Sequence, residues 1–116
     1  MPLSRSFKET VKERIEEDPA FRGALLAEGI DALLSGEVDV GKTILRDYIN
    51  ATVGFARLAD ETGIPIKSLM RMFGPAGNPS ARNFFSAISM LQRSSGASLQ
   101  VRPSVKASRS KGQSPA

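Results

Sequence analysis

The stretch DETGIPIKSLMRMFG, residues 60–74, sets Gly, Pro and two isoleucines between two helical runs, GFARLA before it and SLMRMF after it. The spacer is too short for a linker and too stiff for a flexible loop. It reads as a tight corner between two helices, and its residues meet the demands of a helix-turn-helix. The first helix needs a small residue where the second crosses it, and Ala59 stands there. The turn needs a residue tolerant of positive φ, and Gly63 follows four residues later. Leu58, Ile64, Leu69 and Met72 supply the inward apolar residues that fix the crossing. Pro65 suits the first turn of the second helix, where its missing N–H is no loss.

With Leu69, Met72 and Phe73 turned inward, the second helix is left with Ile66, Lys67, Ser68, Met70 and Arg71 facing out. In a helix-turn-helix, this face puts side chains on base edges in the major groove. Lys67 can donate to guanine, Ser68 can donate or accept, and Arg71 can reach a base or a phosphate. Ile66 or Met70 can pack on a thymine methyl. The next segment, GPAGNPS at 74–80, is a firm stop and turn. A helix starting at Asn78 or Ser80 would offer a phosphate its free N–H groups, with Arg82 in the first turn. Asn78, Ser80 and Arg82 are therefore the candidate phosphate contacts.

Outward from the corner the chain is helical by pattern. Ser6 and Glu9 make a capping box ahead of a charged surface helix over 6–17, with Phe7, Val11 and Ile15 as its apolar stripe. Asp18-Pro19 restarts the chain. Phe21, Leu25, Leu26, Ile30, Leu33 and Leu34 then run at helical spacing to Gly36, a stripe expected to form much of the core. Asp39 is expected to cap a third helix lined by Val40, Ile44, Leu45, Tyr48 and Ile49. The two corner helices are expected at 55–62 and 65–73. A sixth, ending near Gly96, carries Ala81, Phe84, Phe85, Ile88 and Leu91 on one face. SLQV, residues 98–101, alternates as a short strand does. Residues 103–116 lack the apolar content to fold and read as a disordered basic tail. The expectation is an all-α, compact bundle of five to six helices containing a helix-turn-helix, with one short C-terminal strand. It divides into an N-terminal helical extension (1–36), a DNA-binding domain (37–102) and the tail (103–116).

Charge is distributed unevenly along the 116 residues. All twelve acids lie at or before Glu61, against eight Lys/Arg, a balance of −4; residues 62–116 hold eight Lys/Arg and no acid, a balance of +8. Such an acid-free half points to a polyanionic partner. Neither Cys nor His is present. A disulfide framework, a thiol nucleophile, an imidazole base and a Cys/His metal site are all ruled out, so no catalytic residue, metal or cofactor is expected. A single-strand or RNA binder would need aromatic platforms, and Phe73, Phe84 and Phe85 sit at core spacing. No apolar run approaches the roughly 20 residues that span a bilayer, and the polar N-terminus is no signal peptide. The expected place is the cytoplasm, with no membrane contact.

The sequence FARLADETGIPIKSLMRMFGPAGNPSARNFFSAISML resembles the helix-turn-helix regulators of the lambda-repressor-like (Xre/Cro) class. Within that class it is similar to the probable addiction-module antidote proteins, related to HigA antitoxins. The resemblance rests on Leu58-Ala59, Thr62-Gly63, residues 66–73 and Gly77-Asn78-Pro79, over about residues 54–101. It implies a five-helix DNA-binding domain, usually dimeric on a palindromic operator, and in many members a small toxin partner. The expected function is sequence-specific regulation of transcription on double-stranded DNA by a homodimer. The alternative is an antitoxin whose acidic N-terminal half neutralises a small basic toxin and which represses its own operon.

Overall fold

The computed structural model describes residues 2–105, with side chains from Thr10 onward. Six helices follow in order: α1 (Pro2–Glu17), α2 (Pro19–Leu34), α3 (Val38–Ala51), α4 (Phe55–Thr62), α5 (Ile66–Met72) and α6 (Ala81–Ser95). The described residues hold no strand. Residues 97–105, which contain the expected strand at 98–101, carry no regular secondary structure. The segment is anchored instead to α6, by the Ala97 N–H donating to Ser95 Oγ at 3.1 Å and the Leu99 N–H to Gln92 Oε1 at 2.8 Å, and Leu99 packs partly buried on the core. The expected tail lies outside the described residues from position 106 onward, as do the side chains of Ser6, Phe7 and Glu9; the backbone is helical from Pro2, so Ser6 stands inside α1 and not at its cap.

Local chemistry sets most of the boundaries. The Asp18 carboxylate caps α2, accepting from the N–H groups of Ala20 (3.0 Å) and Phe21 (3.3 Å), with Pro19 opening the first turn. Helix α3 starts two positions earlier than an Asp39 cap would allow. Glu37 is its cap residue and makes no side-chain bond, while Asp39 lies in the first turn, where its charge complements the helix dipole. Ser80, rather than Asn78, caps α6 by accepting from the Asn83 N–H at 3.2 Å. Pro65 is the residue before α5 and not in its first turn.

One core cluster joins Leu26 of α2, Leu45, Tyr48 and Ile49 of α3, Phe55 and Leu58 of α4, Ile64, Leu69 and Met72 at the corner, and Phe73. From α6 it takes Ala87, Ile88, Met90 and Leu91. Phe73 stacks obliquely between Phe55 and Phe84, with ring centroids 6.2 and 5.4 Å away. Of the residues expected on the core faces, Phe21, Leu34, Val40, Ile44, Ala81 and Phe85 lie outside this cluster, and three of these are large and exposed. Leu34 is 67% exposed, Val40 48% and Phe85 62%. Each sits at the margin of an apolar stripe that is wider than the surface its helix buries. On α6, Phe84, Ile88 and Leu91 take the inward line, and Phe85 is left against the edge of Phe84. Helix α2 gives less to the core than its composition suggests: of its apolar side chains only Leu26 is fully buried, and Leu25, Ile30 and Leu33 are partly so. Tyr48 is buried, and its hydroxyl has no well-formed hydrogen bond among the described residues. Burial pushes the phenol above its ordinary pKa, partly offset by the neighbouring Ser95 hydroxyl and the Arg22 charge. Among the described residues no helix is long and apolar enough to cross a membrane.

The corner turns on Gly63. Its φ is +74°, left-handed, and its N–H closes α4 by donating to the Ala59 carbonyl at 2.8 Å. Thr62 Oγ1 donates to the Leu58 carbonyl (2.7 Å) and accepts from the Ile64 N–H (3.2 Å), so the chain leaves the turn on a fixed path. A Cβ at position 63 would meet nothing within 4 Å. The glycine is therefore required by backbone conformation and not by space. Gly63→Val is expected to destabilise the fold by about 1–3 kcal/mol, and Gly63→Asn, which tolerates the left-handed region, by less. Urea denaturation of the three proteins checks this; equal midpoints would mean that the turn relaxes to another conformation at no cost.

Candidate nucleic-acid interface

Helix α5 is seven residues long, too short to hold together alone. It is fixed by burial on one side: Leu69 is wholly buried, Met72 is 4% exposed and Phe73, just past its end, 1%. Each such side chain contributes about 1.5–3 kcal/mol. Leu58 and Ile64 are buried beneath the corner, and Ala59 packs half-buried against the same core.

The other side of α5 is open. Ile66, Lys67, Ser68, Met70 and Arg71 are all exposed. Among the described residues, the side chains of Lys67 and Arg71 make no hydrogen bond and no ion pair. Both ion pairs among the described residues, Arg14–Asp18 at 3.8 Å and Arg57–Glu61 at 4.0 Å, lie in the first 61 residues. Among the described residues no acid neutralises the charge on α5.

Residues 74–80 fold back against the end of α5. The Gly74 N–H donates to the Arg71 carbonyl (3.0 Å), and the Gly77 N–H to the Gly74 carbonyl (3.2 Å). The approach is so close that a Cβ at position 77 would fall onto the Arg71 carbonyl oxygen. This requirement for glycine is steric, unlike that at Gly63. The turn brings Asn78 and Ser80 beside α5. A shallow cleft of about 220 Å³ is lined by Ser68, Arg71, Met72, Asn78, Pro79, Ser80 and Asn83. Of the candidate phosphate contacts, Asn78 and Ser80 border this cleft. Arg82 is exposed but does not line it. Asn83 does, although its position gave no signal in the sequence beyond lying in the first turn of a helix.

The residue holding this loop is one that sequence reading passed over. Lys42, on α3, is 7% exposed. Its Nζ donates to the carbonyls of Gly77 at 2.8 Å and Gly74 at 3.3 Å. Among the described residues no carboxylate partners it; the ammonium is held by the loop's backbone dipoles. A lysine in an amphipathic helix is ordinarily a solvated residue, and the only hint of this one was its place three residues before the buried Leu45.

The described residues contain no group of His, Cys, Asp and Glu able to hold a metal ion. A second cleft, of about 240 Å³, lies away from α5 among Ile15, Arg22, Tyr48, Arg57 and Ser95, and contains none of the predicted site residues. No family model matches the chain, and neither does any curated protein or solved structure.

Lys42→Met keeps the aliphatic stem and removes the ammonium. Two part-buried carbonyls then lose their donor, at an expected cost of about 1–3 kcal/mol. Amide exchange should quicken across residues 74–80 more than in α4. Unchanged exchange there would show that the loop holds itself.

Proposed function

We propose that the chain is a sequence-specific DNA-binding regulator of transcription, with α5 as the helix that enters the major groove. One observation carries the reading. The exposed face of α5 bears two cations without partners among the described residues, on a helix whose pose is fixed by a left-handed glycine corner and three buried side chains. A short helix held rigidly from behind suits base readout, because little side-chain and backbone freedom remains to be lost on binding. The absence of any acid after Glu61 favours approach to phosphates.

In this reading Ile66, Lys67, Ser68, Met70 and Arg71 face the bases, and Asn78, Ser80 and Arg82 face the backbone. The N-terminus of α6 lies beside the cleft and favours an anion. A single helix-turn-helix covers about half an operator, so the proposal includes a two-fold dimer with half-sites roughly 34 Å apart.

Lys67→Ala and Arg71→Ala are each expected to weaken binding to a selected duplex by about 1–3 kcal/mol with an unchanged thermal midpoint, since both side chains are exposed and neither makes a hydrogen bond or ion pair among the described residues. Affinity and melting are measured on the same preparations. Full affinity in both variants would remove α5 from the interface. Sedimentation at tens of micromolar should give twice the chain mass, and a monomer at that concentration would exclude the dimer.

A further inference from the structure

The exposed face of α5 is not uniformly polar. Ile66 is 41% exposed and Met70 53%. They stand four residues apart, as do Lys67 and Arg71, and residues at that spacing lie one above the other on a helix. The face therefore carries two adjacent stripes, one apolar and one cationic. Leu69 and Met72, on the same short helix, and Phe73 just past its end are buried; Ile66 and Met70 adjoin that stripe and are left exposed beside it.

We infer that Ile66 and Met70 read pyrimidine methyl groups, so that the preferred operator half-site carries thymines about two base steps apart beside the bases met by Lys67 and Arg71. This inference rests on the reading of α5 as the recognition helix and deepens it. The chemistry follows from what the major groove offers. Donors and acceptors line most of its floor, and its principal apolar feature is the thymine C5-methyl. An apolar side chain laid over any other base edge would desolvate polar atoms without replacing their hydrogen bonds. Over a methyl it removes apolar surface from water on both partners. Spacing agrees: four residues of α-helix rise about 6 Å, close to two steps of about 3.4 Å along one strand. Charge complementarity selects duplex DNA over an apolar protein groove as the occupant, because the same face carries Lys67 and Arg71 with no acid among them.

The test uses the full chain and duplexes selected from a random pool. Each thymine of the selected half-site is replaced in turn by uracil, which keeps every hydrogen-bonding group and removes only the methyl. Two positions should each lose about fourfold in affinity, the equivalent of one buried methyl. The same replacements should leave the affinity of Ile66→Ala at one position, and of Met70→Ala at the other, unchanged from that variant's affinity for the thymine duplex. Thermal melting of both variants accompanies the titrations, and the uracil series on the unaltered chain does not depend on them. Selective binding with uracil tolerated at every position overturns the methyl readout and leaves the DNA reading standing. A pool that yields no preferred sequence overturns both.

Discussion

The Lys42 ammonium, reaching from α3 to the carbonyls of Gly74 and Gly77, ties the first half of the chain to the second where α5 ends. Gly77 is pressed against the Arg71 backbone from the other side, with no room for a Cβ. The loop is thus gripped between a charge and a main chain. Its exit direction sets where Ser80 can cap α6, and α6 in turn supplies Ala87, Ile88, Met90 and Leu91 to the core. Burying an ammonium is costly unless its donors are met. Here carbonyl dipoles meet it at hydrogen-bond distance. Carbonyls suit the task because they hold the cation without adding an acid to a half of the chain that has none.

The energetics of α5 follow from the same arrangement. Lys67 and Arg71 at i and i+4 repel each other, a local penalty of a few tenths of a kcal/mol. Seven residues cannot offset that by helix propensity. Burial of Leu69, Met72 and Phe73 outweighs it by roughly an order of magnitude. The helix is therefore held from behind by its core contacts, and its outer face is free to carry residues that do nothing for its stability. Unopposed like charges on a tertiary-locked helix are what an anionic partner would use, and that supports the proposed reading.

The corner was legible in the sequence because each of its constraints admits few residue types. Positive φ at position 63 calls for glycine, and the crossing calls for apolar residues at 58, 64, 69 and 72; all four are buried. The Asp18-Pro19 restart was legible for the same reason. The wider stripes misled. Leu34, Val40 and Phe85 satisfy helical periodicity, but periodicity gives the direction of a face and not the breadth of its partner. One cap also shifted. Asp39 is a good cap residue two places from Glu37, the position actually used, and of Asn78 and Ser80 it is Ser80 that caps α6; packing between helices decides among such neighbours. Lys42 was hidden for a different reason. Its partners are backbone carbonyls 32 and 35 residues away, and no side-chain pattern marks an acceptor that every residue possesses. Asn83 joins the cleft only through the fold of the 74–80 turn.

Two turns of helix leave little redundancy. Once Leu69 and Met72 are spent on the core, α5 has five residues for its outer surface, and four of them pair off at i and i+4 as one apolar and one cationic stripe. A longer helix can lose a contact and shift along a groove to find another. This one is pinned at its start by the Gly63 corner and at its end by the Gly74–Gly77 loop, so its side chains meet whatever lies opposite in a single register. Under the proposed reading, specificity then comes less from the number of contacts than from the inability of α5 to slide. The buried lysine beneath the loop becomes part of sequence discrimination without approaching a base.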